Sequence, residues 1–386
     1  MKQRATAIAL AGFAALAVAM GIGRFAFTPI LPMMQAEGAI DVAQGGWLAS
    51  ANYVGYLIGG LTAVGLRWSP RAAIRAGLAA TGISTAAMGL TRSPWAWLVL
   101  RGVAGVASAW VLIFASAWCL AQFQSRESPG CGAWLGATLF AGVGAGIAIA
   151  GAACVVLLLA GGSAAQAWIA LGAASLVVAA LIWNRFGEGE APSPRDDREA
   201  NGWNAQTLRL AACYGAFGFG YIIPATFLAA MARDAFPDPA VYGWSWPLFG
   251  AAAAASTFAA AALRGSLPDR ALWIAGHGVM ALGVTIPLAV PGLAGIIASA
   301  LLVGGTFMVV TMAGMQEARR VAGPAARRLI AAMTSSFAAG QVVGPAVVSL
   351  LAAGGRGFTP GLVIAGAALV ASAFALALPP LQPRIP

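Results

Sequence analysis

The sequence is short of charge. Only 9% of its 386 residues are Asp, Glu, Lys or Arg, against about 25% in soluble domains. Lysine occurs once, at Lys2, and histidine once, at His277. There are 12 acidic residues, and none lies clearly inside an apolar run. The four cysteines, Cys119, Cys131, Cys154 and Cys213, sit in or beside apolar runs without metal-ligand spacing. They read as small hydrophobes, so neither a zinc site nor a disulfide framework is expected. One histidine and no metal-spaced cysteines also argue against a membrane-embedded enzyme, and no cofactor or metal is expected. A cleavage site after the first apolar run is missing, so that run is not read as a signal peptide.

What is present is apolar surface in excess. The chain is 60% hydrophobic with mean hydropathy +0.83, more than one soluble core absorbs. A bilayer crossing needs about 20 apolar residues. Twelve stretches qualify, near 6–34, 44–66, 73–91, 94–122, 133–160, 164–184, 206–231, 242–263, 271–291, 293–315, 329–352 and 359–379. The longest polar stretch, Arg185 to Gln206, divides them six and six. It reads as a linker, with an N-terminal bundle over 1–184, the linker over 185–205 and a C-terminal bundle over 206–386. The fold class is therefore all-α integral membrane.

The net charge of +10 comes from arginine. With the N-terminus inside, the outer segments hold only Arg92, Arg233 and Arg356, while most other arginines fall on inner segments. The bias predicts both termini in the cytoplasm of a bacterial inner membrane. It also explains the basic balance without nucleic acid. A lipid bilayer, a small-molecule solute and a monomer are the expected surroundings.

Two arginines remain inside spans, Arg24 and Arg101. Arg24 lies in Gly21-Ile-Gly23-Arg24-Phe25-Ala26-Phe27-Thr28-Pro29-Ile30-Leu31-Pro32. A mid-bilayer arginine costs at least ~2.5–3.5 kcal/mol on insertion scales, so it normally faces a bundle interior or a wet cavity. Pro29 and Pro32 each remove a backbone donor and predict a broken helix. The alternative is an Arg24 near a span end that snorkels to a headgroup.

The two halves repeat at an offset of about 197 residues (24 to 221). Gly21 and Gly23 fall on Gly218 and Gly220, Asp41 on Asp238, Gly46-Trp47 on Gly243-Trp244, and Leu66-Arg67 on Leu263-Arg264. Six spans restore the starting side, so the repeat is parallel, and the substrate site of such a carrier lies midplane between the halves. The opening stretch, together with Gly340-Gln341-Val-Val-Gly344-Pro345, resembles the YbfB/YjiJ-type branch of the major facilitator superfamily. The resemblance implies twelve helices in two pseudo-symmetric six-helix bundles and secondary transport by rocker-switch alternating access. Arg101-Gly102-Val-Ala-Gly105 resembles the superfamily's Arg-plus-Gly signature in span four. The loop Gly65-Leu66-Arg67-Trp68-Ser69-Pro70-Arg71 lacks the usual Asp, and Gly142-Val-Gly144-Ala-Gly146 lacks the proline of the antiporter signature.

The remaining polar residues inside spans complete the candidate substrate site. Asn52, Tyr53 and Tyr56 share neighbouring positions on span two. Tyr214 and Tyr221 are seven apart on span seven, and Tyr221 is the repeat mate of Arg24. Gln341 precedes a Gly-Pro break in span eleven. The candidates are therefore Arg24, Asn52, Tyr53, Tyr56, Arg101, Tyr214, Tyr221 and Gln341, each set against a role in interhelical packing. Trp118 and Trp246 read as packing or interfacial residues, and Gly142 and Gly146 as positions that bring span five against span eight. With Arg24 and Arg101 facing the cavity and no buried carboxylate, the solute is expected to be an organic anion. Proton coupling would need His277 or the solute itself. Export of neutral or amphipathic compounds is the second expectation, and a transporter-like sensor a remote third.

Overall fold

A computed structural model describes residues 2–66, 68–124, 129–187, 204–236, 238–263, 267–323, 326–353 and 357–379. The described residues form helices and short connections. In chain order the helices are α1 (Lys2–Leu16), a π-helical turn (Ala17–Ile22), α2 (Phe27–Ala36), α3 (Val42–Gly65), α4 (Pro70–Met88), α5 (Pro94–Gln124), α6 (Pro129–Leu159) and α7 (Ala164–Ile182). The second half follows with α8 (Ala205–Ala235), α9 (Pro239–Tyr242), α10 (Ser245–Ala262), α11 (Asp269–Ala289), α12 (Leu293–Ala322), α13 (Ala326–Ala353) and α14 (Thr359–Ala377). Counting α1, the π turn and α2 as one broken span, and α9 as the entry to α10, the described residues make twelve passages. Nine candidate spans among the described residues are long and apolar enough to cross a bilayer. α3, α4 and α10 complete the bundles.

Helix ends fall where sequence chemistry places them. Asp41 starts α3 with a reciprocal cap, accepting from the Gln44 backbone at 2.7 Å while Gln44 accepts from the Asp41 backbone at 3.0 Å. The same device opens α7 at Ser163–Gln166 and α8 at Asn204–Thr207. Pro70 and Pro94 sit at the first position of α4 and α5, where a missing N–H is harmless. α5, α6 and α8 each have 31 residues, about 46 Å of helix. They outrun the ~30 Å hydrocarbon core.

Packing follows the repeat. In the first half α3 lies on α5, α5 on α4, α4 on α7 and α1 on α6. In the second, α10 lies on α12, α12 on α11, α11 on α14 and α8 on α13, which are the repeat mates of those pairs. The halves meet through α6 with α10, α3 with α13, and α2 with α8. Most of the linker expected over 185–205 lies outside the described residues.

Gly142 and Gly146 depart from expectation. A Cβ at Gly142 would lie 2.2 Å from the Phe13 carbonyl, and one at Gly146 2.3 Å from that of Ala17. They seat α6 against the first span, not against span eight. Gly144, between them, faces span eight, where its Cβ would lie 2.2 Å from the Ala254 nitrogen. Successive small residues point to different helix faces, and the sequence does not say which face meets which neighbour.

Candidate functional site

The break in the first span begins with Pro29. Its ring nitrogen donates nothing, so the carbonyl of Phe25 loses its helical partner. Thr28 N instead donates to Phe25 O at 3.2 Å, an i−3 bond. Upstream, Gly23 N reaches Val18 O at 2.9 Å and Phe25 N reaches Met20 O at 3.3 Å, both i−5 bonds. The chain therefore widens into the π turn and then an irregular turn at 23–26, which keeps one i−4 bond from Ala26 N to Ile22 O at 3.1 Å, ahead of the prolines rather than at them. Such rewinding leaves carbonyls without donors inside an apolar bundle, and a buried orphan costs free energy. Arg101 from α5 supplies the donors. Its Nη1 donates to Gly23 O at 3.1 Å and its Nη2 to Arg24 O at 2.9 Å. Asn52 of α3 in turn holds α5, its Nδ2 donating to Arg101 O at 2.9 Å.

With its backbone held there, Arg24 turns toward the centre. It is 1% exposed. Its guanidinium carbon lies 3.9 Å from the ring centroid of Tyr56 and 5.0 Å from that of Tyr53, both on α3. A desolvated cation over aromatic faces gains about 2 kcal/mol. Arg24 Nη2 donates to Gln341 Oε1, and Gln341 Nε2 donates to the Tyr221 hydroxyl. The Tyr53 hydroxyl lies 3.1 Å from Thr226 Oγ1 on α8. Arg24, Tyr53, Tyr56, Tyr221 and Gln341 thus form one buried cluster, drawn from spans one, two, seven and eleven. Tyr221 stacks on Phe307 and Phe337, with ring centroids 4.8 and 5.5 Å away.

The other three candidates stand apart from that cluster. Arg101 gives both Nη groups to the broken first span and Asn52 gives its Nδ2 to Arg101, while Arg101 Nε and Asn52 Oδ1 are buried without partners. Tyr214 lies two turns from Tyr221 along α8, among Phe217, Trp273 and Phe337. Trp273 Nε1 donates to His277 Nε2 at 3.0 Å, so the histidine is engaged within α11. Trp246 packs on Phe249 and Phe25, and Trp118 on Phe186. Thr226 and Phe307 join the cluster without any mark in the sequence, and Phe337 with none beyond being the repeat mate of Phe140. A threonine or phenylalanine in so apolar a chain carries no signal of its own.

The acidic groups among the described residues stay at helix ends. Glu37 accepts from Ala164 N, Asp41 and Asp238 cap helices, Asp234 pairs with Arg233, and buried Glu317 pairs with Arg320 near the end of α12. Among the described residues Arg24 is held by an amide and aromatic rings, with no carboxylate in contact. Its Nε is buried and has no acceptor.

The hydrogen bonds between halves run from this cluster toward one end of the bundle. Besides Arg24–Gln341 and Tyr53–Thr226, Thr28 Oγ1 donates to Ala225 O at 2.6 Å and Ser50 Oγ to Val342 O at 3.1 Å. Arg233 Nη1 donates to Pro32 O at 2.9 Å. Gly46 extends the closure, since a Cβ there would lie 2.8 Å from the Pro345 carbonyl.

Residues 16–377 match the family model described as "Uncharacterised MFS-type transporter YbfB". The chain belongs to this family of the major facilitator superfamily. It is a multi-pass membrane transporter, not an enzyme. Among solved structures it is similar to a mutant form of the nucleoside transporter NupG, at 14% identity and TM-score 0.73, over 96% of this chain and 99% of that one. It is also similar to a bacterial homologue of the human lysosomal transporter Spinster in an inward-facing, unoccupied conformation. That match has 14% identity and TM-score 0.70, over 98% and 95% of the two chains. At this identity the likeness is one of fold. No curated protein matches the transporter by sequence.

Proposed function

We propose that this transporter is a monomeric secondary carrier for a small organic anion in the bacterial inner membrane, working by rocker-switch alternating access. The halves, 1–184 and 206–386, turn about a midplane site formed by Arg24, Tyr53, Tyr56, Tyr221 and Gln341. Asn52 and Arg101 support that site, and Tyr214 extends its aromatic wall. The observation that carries the reading is Arg24. It is a buried cation between the halves, among the described residues without a carboxylate partner and with Nε unfilled. A guanidinium so placed suits an incoming carboxylate better than an apolar solute. Arginine bias supports both termini and the linker in the cytoplasm. In that orientation the hydrogen bonds between halves close the periplasmic side.

The test is uptake into proteoliposomes of a panel of radiolabelled organic acids, amino acids and sugars, with and without a pH gradient. A carboxylate that is carried while its neutral analogues are not supports the reading. Stimulation by the gradient would assign a coupling proton. The second reading, export of neutral or amphipathic compounds, draws on the rings around Arg24 and on the amide that already occupies it. Transport restricted to neutral solutes would favour it.

A further inference from the structure

Gln341 stands where a bound carboxylate would stand. Arg24 can only donate, so the amide must present Oε1 to it and Nε2 to Tyr221. Nη2 and Nε share one edge of a guanidinium. The single amide oxygen accepts from Nη2, and the neighbouring Nε–H is left buried with no acceptor. A carboxylate has two oxygens and can fill both positions as a parallel fork. The Tyr221 hydroxyl, which accepts from the amide, can turn and donate to a carboxylate oxygen instead. Both neighbours of Gln341 therefore accommodate an anion at least as completely as the amide.

We propose that the Gln341 carboxamide is a resident stand-in for the carboxylate of the solute. It closes the Arg24–Tyr221 bridge between the halves in the empty carrier, and a solute carboxylate displaces it to take the whole fork. The proposal rests on the organic-anion reading above and names the group that competes with the solute. Two features make the exchange a side-chain event. The backbone of α13 is pinned to α8 around Gln341: a Cβ at Gly340 would lie 2.3 Å from the Gly215 carbonyl, and one at Gly344 2.5 Å from Ile222 Cγ2. Arg24 meanwhile keeps the Tyr53 and Tyr56 rings of its own half when the amide leaves. The bridge thus has one displaceable member, and the amide makes displacement easy. A neutral acceptor lacks the charge–charge attraction that a carboxylate adds at a guanidinium.

The test uses the purified full-length carrier in detergent and reads melting temperature. Gln341→Glu places a carboxylate permanently in the fork and is expected to melt above wild type at neutral pH. Gln341→Ala removes the stand-in. It is expected to be stabilised by acetate over chloride at equal ionic strength, and not by acetamide, while wild type, where acetate must displace the amide, responds less to acetate and Gln341→Glu responds to neither. Both results are required. A Gln341→Glu protein that melts below wild type or fails to fold overturns the proposal. So does a Gln341→Ala protein that ignores acetate or responds equally to acetamide. If Gln341→Ala does not fold, Gln341→Glu decides alone. These readings do not depend on transport. Their failure with an anion still carried in proteoliposomes removes the role of Gln341 only. A panel that finds only neutral solutes removes the functional reading, and with it the displacing group, whatever the melting temperatures show.

Discussion

The Thr28 hydroxyl donates to the carbonyl of Ala225 at 2.6 Å, and the two residues are 197 positions apart. That separation is the offset of the internal repeat, so Thr28 and Ala225 are each other's equivalents. Two equivalent positions can touch only beside the axis that relates the halves. The contact therefore locates that axis one turn from Arg24 and its own repeat mate, Tyr221. Thr28→Val removes a bond that holds the halves together on one side only. Such a bond contributes about 0.5–1.5 kcal/mol, so the ratio of closed to open carriers should fall roughly two- to tenfold. Spin labels at the exposed positions Ala39 and Ala240, on a background without native cysteines, should show a longer distance in Thr28→Val than in wild type. An unchanged distance distribution would mean that the bond does not help to hold that end shut.

Arg101 is expected to be a structural clasp. Arg101→Ala strands the carbonyls of Gly23 and Arg24, at about 1–3 kcal/mol for each buried acceptor left unpaired. Folded yield and melting temperature should drop together, by the same amount with or without solute. Arg101→Lys should recover only part of the loss, because an ammonium lacks the fork that spans two successive carbonyls. A variant that folds normally and loses only solute affinity would return Arg101 to the binding site.

The glycines of α6 separate two functions along one helix. Gly146→Leu should abolish folding of the first half, since its side chain would collide with the Ala17 backbone. Gly144→Leu should leave the first half folded but push α10 away, because it faces the Ala254 nitrogen of the other half. Limited proteolysis separates the cases: Gly144→Leu should yield a protease-resistant N-terminal fragment, and Gly146→Leu should not. Equal resistance would contradict the assignment of faces.

Much of this architecture was legible because the bilayer imposes it. Length and apolarity mark spans whatever their neighbours, and a lone arginine in a span has few places to go. That Arg24 turns into the bundle interior could be anticipated on that ground. The job of Arg101 could not, because its partners are carbonyls 77 and 78 positions away. Their need for donors arises from the π turn, not from any residue type. Tyr214 shares a helix face with Tyr221 by spacing, yet α11 brings Trp273 against it, and no local pattern encodes that neighbour. Gly142 and Gly146 were recognisable as packing positions, but not against the first span. In each case the missing information was which helix lies opposite, and that is settled by tertiary packing.

The central claim is that Arg24 binds an anionic solute group. The most direct measurement is ligand-induced thermal stabilisation of purified wild type and Arg24→Lys. The ligands are a carboxylate that the carrier transports and its neutral amide analogue. A lysine keeps the charge but not the fork. The expected result is a folded Arg24→Lys protein in which the carboxylate loses most of the stabilisation it gives to wild type, with the amide weak in both. Equal stabilisation by both ligands, in wild type and in Arg24→Lys, would contradict the account and point to a carrier of neutral compounds.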